Sequence, residues 1–299
     1  AAATLLAPIL LGACAAPGLP PPTDPRMAAL PPVEAVEDVP FFPQDDYYCG
    51  PAALAMVLAW SGLEVTRDDL VPVVYTPGRR GTLQSDVLAG ARRYGRLAVR
   101  VASVPDLLAE IDAGHPVLVF QNLGLQIFPQ WHYAVATGYD LNAGILRLHS
   151  GRVADRETRL STFAHTWARG GYWGLVVLPP DRLPAMADER TVLEAAAALE
   201  RADAPAAAAR AYAAILTRWP DSLPGWIGLG NAAYAVGDGR RAAAAFAGAT
   251  ERHPDSVAAW QNLAFVLDEL GETDAAAEAG ARATALNAAR SRGTATAAP

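Results

Sequence analysis

From about residue 187 onward the chain repeats itself every 34 residues, and no other feature limits so strongly what it can fold into. Asp221 and Asp255, Trp226 and Trp260, Leu229 and Leu263, and Gly237 and Gly271 each stand 34 apart. A helix–turn–helix unit of that length cannot bury its own apolar face. It needs neighbours stacked against it, and about three units are the minimum for a continuous core. The central unit carries Trp226, Leu229, Gly230, Ala242, Phe246, Ala249 and Pro254, and the next carries Trp260, Leu263, Ala264, Ala276 and Ala283. Shifting back by 34 gives a weaker first unit that ends at Pro220, with Ala208 and Tyr212 in register. Register at so many positions sets this apart from a generic Ala-rich bundle. Repeats are expected over 187–288, followed by a disordered tail at 289–299.

This spacing resembles the tetratricopeptide repeat. The resemblance implies an all-α solenoid whose concave face holds a peptide or protein partner. Residues 187–288 hold 14 Asp/Glu against 8 Arg, so most of the chain's net charge of −7 sits there. An acidic balance without a basic face argues against a nucleic-acid partner. The full 299 residues suggest two domains, and 52% hydrophobic against 18% charged residues excludes a disordered chain.

The N-terminus is different again. The apolar run from Thr4 to Leu11 has about half the ~20 residues that span a bilayer, and it reads as the core of a secretory signal. Leu11-Gly12-Ala13-Cys14 then resembles the lipobox of bacterial lipoproteins. The resemblance implies removal of residues 1–13 as a signal peptide and a diacylglyceryl group on the sulfur of Cys14. It also implies a lipid-anchored protein of the cell envelope. Ala15, rather than Asp, after the cysteine favours the outer membrane, facing the periplasm. An ordinary secretory segment is the alternative. Seven prolines between Pro17 and Pro32 make 14–38 an extended tether.

Residues 39–180 read as an α+β unit. Helices are expected at Pro51–Trp60, Ser85–Tyr94 and Pro105–Ala113, and strands at Leu97–Val101, Val117–Asn122, His132–Tyr139, Ile145–His149 and Gly171–Leu178. Asp140-Leu141-Asn142-Ala143-Gly144 is a hairpin turn signal. A cut near Pro184–Asp188 is expected to leave two folded pieces.

The chemistry concentrates around Gln44-Asp45-Asp46-Tyr47-Tyr48-Cys49-Gly50-Pro51. Pro51 suits the first turn of a helix, so Cys49 is expected at a helix N-terminus, where the macrodipole lowers a thiol's pKa. Gly50 removes bulk beside the sulfur, and Gln44 carries an amide that can hold an oxyanion. With Cys14 acylated, Cys49 is a single free thiol in an exported protein and a candidate nucleophile. Among five histidines, His132 opens an apolar strand downstream and is the candidate base.

Together these residues resemble papain-like cysteine peptidases of the bacteriocin-processing, double-glycine-leader type. The resemblance implies Gln44 as oxyanion-hole donor, Cys49 as nucleophile and His132 as general base, acting on a peptide or protein substrate. The family has an Asp, typically followed by Pro, after the histidine strand; here the corresponding stretch is His149-Ser150-Gly151-Arg152. Ser150 is the expected orienter of the ring, with Asp155 less supported and Asp140 at the far end of the hairpin. A non-catalytic adaptor and a cell-wall peptide amidase are the rival readings. No cofactor, metal or nucleotide motif is expected. Cys14→Ser is expected to abolish incorporation of a fatty-acid analogue in cells, since a hydroxyl does not replace the acceptor thiol. Equal labelling of both proteins would remove the anchor reading.

Overall fold

The computed structural model describes residues 24–44 and 47–296. The expected signal peptide, Cys14 and the first part of the tether lie outside the described residues, as do Asp45 and Asp46. The first region runs α1 (Pro25–Ala28), β1 (Val33–Ala35), α2 (Cys49–Trp60), α3 (Arg67–Val74) and α4 (Gln84–Arg93). It continues through β2 (Leu97–Val101), α5 (Val104–Asp112), β3 (Val117–Asn122), β4 (Trp131–Asp140), β5 (Ile145–Ser150), β6 (Val153–Arg159), α6 (Leu160–Arg169) and β7 (Trp173–Leu178). Asp69 closes a capping box on Thr66 at the start of α3, and Ser103 caps α5 by accepting from the Asp106 amide at 3.2 Å.

The strands form one antiparallel sheet in the order β2-β7-β3-β4-β5-β6, with β1 also paired to β4. Side chains alternate across it, as a period of two requires. Ala98, Leu118, Tyr133, Val135, Leu175 and Val177 pack against α2 and α4. Val99, Val119, Ala134, Ala136 and Val176 face the other way, onto α5 and α6. Both faces are therefore buried.

Three expectations need correction here. The tether does not stay free to residue 38: Val33–Ala35 pair with Gly138–Asp140 where β3 has ended. Those backbone groups of β4 would otherwise lack partners. β6 and α6 extend the unit beyond the expected strands. β6 is an edge strand, Val-Ala-Asp-Arg-Glu-Thr-Arg, exposed along nearly its whole length, so it shows no apolar alternation to read. The expected tail at 289–299 is helical as far as Thr296, because Ala288-Ala289-Arg290 offers no stop signal.

The C-terminal region is a six-helix repeat: α7 (Glu189–Arg201), α8 (Pro205–Arg218), α9 (Leu223–Ala235), α10 (Gly239–Arg252), α11 (Val257–Glu269) and α12 (Thr273–Thr296). Helix starts recur at intervals of 34, at 189, 223 and 257 and at 205, 239 and 273. The same interval separates the N-caps Asp188, Ser222 and Ser256 and the left-handed turn residues Asp203, Gly237 and Gly271. Trp226 and Trp260 each donate an indole N–H to a proline carbonyl six residues back, Pro220 and Pro254.

The two regions meet at the expected cut near Pro184–Asp188. α7 packs on β2 and α4, and Val192, Ala195, Ala196 and Leu199 share one core with Leu97, Val99, Val176 and Leu178. The linker is held as well: Glu110 accepts from the Met186 amide at 3.2 Å, and Arg218 donates to the Pro184 carbonyl at 2.8 Å. Leu199→Ala is expected to destabilise the whole chain by about 2–5 kcal/mol in urea unfolding. A loss confined to the helical signal would show that the two regions melt separately.

Candidate active site

Cys49 is the first residue of α2, and its thiol is free. Amides in this first turn have no intrahelical partner, and Pro51 has no N–H to leave unsatisfied. A Cβ added at Gly50 would stand 2.5 Å from the Thr82 side chain, so glycine lets the loop bearing Thr82 close over the helix end. Tyr133 ties that loop down, its hydroxyl donating to the Thr82 carbonyl at 3.1 Å.

His132 enters from the start of β4, beside Gln121 of β3. Its Nε2 lies 2.9 Å from the Ser150 hydroxyl at the end of β5. The β4–β5 register brings this about, pairing Val135 with His149 after a shift between Ala136 and Gly138. When Ser150 accepts from Nε2–H, the Nδ1 lone pair is left to take a proton.

Gln44 is buried and is held by the next residue of the same turn. Its backbone N–H donates to the Gly151 carbonyl at 2.9 Å, and its Oε1 accepts from the Gly151 amide at 3.1 Å. Gly151 has φ +63°, a left-handed conformation that glycine adopts without strain. The side chain's other end, Nε2, is buried with no partner among the described residues. Adjacent residues of one turn thus hold the ring and the amide, and nothing in the sequence points to Gly151 for that task.

Gln44, Cys49 and His132 line one open cavity of about 950 Å³. Tyr47, Thr82, Phe120, Gln130, Trp131 and Tyr133 line it too, and three arginines with them, Arg79, Arg80 and Arg169. Sequence reasoning missed Thr82, whose buried hydroxyl oxygen has no partner among the described residues. Among the described residues no hydrogen bond joins the Cys49 sulfur to the imidazole; resting sites often close that contact only with substrate bound.

The alternative residues are engaged elsewhere. Asp140 accepts from the Ala143 amide at 3.0 Å within the hairpin turn. Asp155 lies beside His149, which donates to the Val39 carbonyl at 3.0 Å and accepts from the Asp155 amide at 3.2 Å. His115 pairs with Glu110 at 2.8 Å, and His253 meets the Asp221 carbonyl at 2.8 Å in the repeats. Among the described residues no three His, Cys, Asp or Glu side chains converge on a metal position.

Electrostatics correct the expectation for the thiol. Cys49 does stand at a helix N-terminus, but burial pushes its pKa up, outweighing the backbone hydrogen bonds at Tyr133, Gly50 and Cys49 itself that favour thiolate. Burial, and then the charge of Arg156, hold His132 down at about 4. At neutral pH the pair is thiol and neutral imidazole, not an ion pair.

Residues 36–172 match the model of the Peptidase_C39 like family, and the antiparallel sheet with its helices fits a papain-like peptidase domain. A crystal structure described as a C39-like peptidase from Bacillus anthracis is similar at 19% identity and a TM-score of 0.43, covering 49% of this chain and 97% of that one. The peptidase domain of Streptococcus ComA, described as a bi-functional ABC transporter involved in quorum sensing, is similar at 20% identity and a TM-score of 0.40, covering 48% and 99%. No curated protein matches the chain.

His132 gives a pH signature. It stays neutral in the folded state down to about 4, whereas an unfolded histidine takes a proton near 6.5. Its stabilising contribution is therefore full above 6.5 and lost as pH falls from there towards 4. Urea unfolding across that window is expected to show a decline that His132→Gln flattens by close to one proton. Alkylation of Cys49 by iodoacetamide, in protein carrying Cys14→Ser, is expected to rise only above the ordinary thiol value of ~8.5. A thiolate plateau at neutral pH would contradict the burial argument.

Proposed function

We propose that the chain is a cysteine peptidase held to the bacterial envelope by a lipid on Cys14, with tetratricopeptide repeats that bind a protein partner or substrate. The C39-like match over 36–172 supports the chemistry class. The observation that carries it is the Gln44 Nε2: a buried amide donor with no partner among the described residues, on a side chain that lines the same cavity as Cys49 and His132. A buried donor left unmet costs about 1–3 kcal/mol, and an arriving oxyanion relieves that cost.

The reaction that follows is acyl transfer. His132 Nδ1 takes the Cys49 proton as the sulfur attacks the scissile carbonyl, and Ser150 accepts from Nε2–H to hold the ring in that tautomer. Gln44 donates to the oxygen as it becomes negative. The imidazolium then gives its proton to the leaving amine, water deprotonated by the same ring displaces the acyl group from sulfur as a carboxylic acid, and the ring returns that proton to the departing thiolate. Proton transfer from a raised thiol to a depressed imidazole runs uphill, so the reading implies a slow enzyme or one dependent on the bound substrate. A hydroxyl orients the ring as a carboxylate does, but stabilises its cation less.

That same electrostatic picture favours the second reading, a peptide-binding fold without turnover. No helix among the described residues is long and apolar enough to cross a membrane, so membrane attachment in this proposal rests on Cys14. Incubation with an electrophilic peptide probe and mapping of the adduct separates the two readings. Labelling is expected on Cys49, slowed by roughly 10²-fold or more in His132→Ala. It is expected to be faster in Ser150→Asp, where a carboxylate raises the ring's pKa. Labelling no faster than a free cysteine, unchanged in both variants, would leave the binding fold.

A further inference from the structure

The cavity carries charge that the acyl-transfer chemistry does not use. Arg79 and Arg80 come from the loop between α3 and α4, and Arg169 from the last turn of α6. The loop is a closed ring: the Thr76 amide donates to the Gly81 carbonyl at 2.9 Å, and the Arg79 and Arg80 amides donate back to Thr76 and Pro77 at 3.1 Å each. Arg80 has φ +48°, and its guanidinium lies over the Tyr47 ring, 5.9 Å from the centroid. Arg169 is held by Nε and Nη2, which donate to the Asn122 carbonyl at 3.2 and 3.0 Å, leaving Nη1 unengaged by that contact. Among the described residues no carboxylate lines the cavity. Arg156, outside it, adds to the positive field felt at His132.

Resting on the peptidase reading, we infer that the cleft selects peptides bearing a carboxylate near the scissile bond, bound by Arg79 and Arg80 of the α3–α4 loop and Arg169 of α6. A guanidinium fork matches a carboxylate in shape and charge, and Arg80 and Arg169, already set against Tyr47 and the Asn122 carbonyl, lose less entropy on binding it. Low-dielectric walls concentrate their field in the cleft. Phe120 and Trp131, stacked at 5.2 Å between centroids, offer a flat apolar surface for the neighbouring residue of the same peptide. The carboxylate belongs either to an Asp or Glu side chain or to the peptide's own C-terminus.

Binding without turnover tests this on the full chain carrying Cys14→Ser and Cys49→Ala. The probes are two positional-scanning peptide libraries, one amidated at the C-terminus and one with free C-termini. Enrichment of Asp or Glu at one position of the amidated library assigns the side chain. Enrichment only among free acids assigns the terminus. In either case the selected peptide is expected to bind about tenfold tighter than its amide counterpart and to weaken as salt is raised. That preference is expected to be lost in Arg79→Gln with Arg80→Gln and reduced in Arg169→Gln. The double variant alters two exposed side chains, so it does not depend on Arg169→Gln folding. Equal affinity for acid and amide peptides, a preference that survives in the arginine variants, or no binding at all would overturn the inference. Probe labelling of Cys49 is read separately, so loss of the acidic preference with labelling intact removes this inference and leaves the peptidase reading standing.

Discussion

Burial of the sheet on both faces is the constraint from which the rest of this structure follows. Tyr133 and Val135 of β4 pack towards α2, while Ala134 and Ala136 of the same strand face the core that α5, α6 and the first repeat helix complete. A sheet apolar on both sides needs a cover on each. On one side α2 supplies it, almost wholly buried from Gly50 to Leu58, which brings its N-terminal cysteine to the strand bearing His132. On the other side α7 supplies part of it, so the repeats are anchored to the sheet rather than hung from a linker.

A single turn then sets the geometry of the cavity. Ser150 meets the imidazole and Gly151 meets Gln44 through both its N–H and its carbonyl. A proline at 151 would lack the amide that Gln44 uses, and an L-residue there would be strained at φ +63°. Local chain conformation thus reaches two functional groups at once. The electrostatic setting is harsher than position alone implies. A helix terminus favours a thiolate, yet burial of the sulfur outweighs it, and an arginine near the ring lowers the base as well.

Much of this was legible in the sequence where short-range rules apply. The 34-residue interval carries caps, left-handed turns and tryptophan hydrogen bonds with it, because each is a local requirement of one helix pair. The strands at 97–101 and 117–122 were legible because Leu97 to Val99 and Val117 to Phe120 are apolar for burial on both faces. β6 was not, since an exposed edge strand needs no apolar pattern. Cys49 at a helix start was readable from Pro51, and Ser150 near His132 from the position of the hairpin turn.

What the sequence determined by itself is therefore the set of parts: the repeat period, the helix that begins at the cysteine, the histidine strand and the turn that returns the chain to it. Only the tertiary structure decided how those parts meet. It placed the first repeat on the sheet, drew residues 33–35 out of the tether into the strand pairing, gathered three arginines at the cavity and reversed the expected shift of the thiol. Caps, turns and periodicity act over a few residues and leave a mark on them. Burial and electrostatic field depend on groups remote in the chain, and no single stretch of sequence records them.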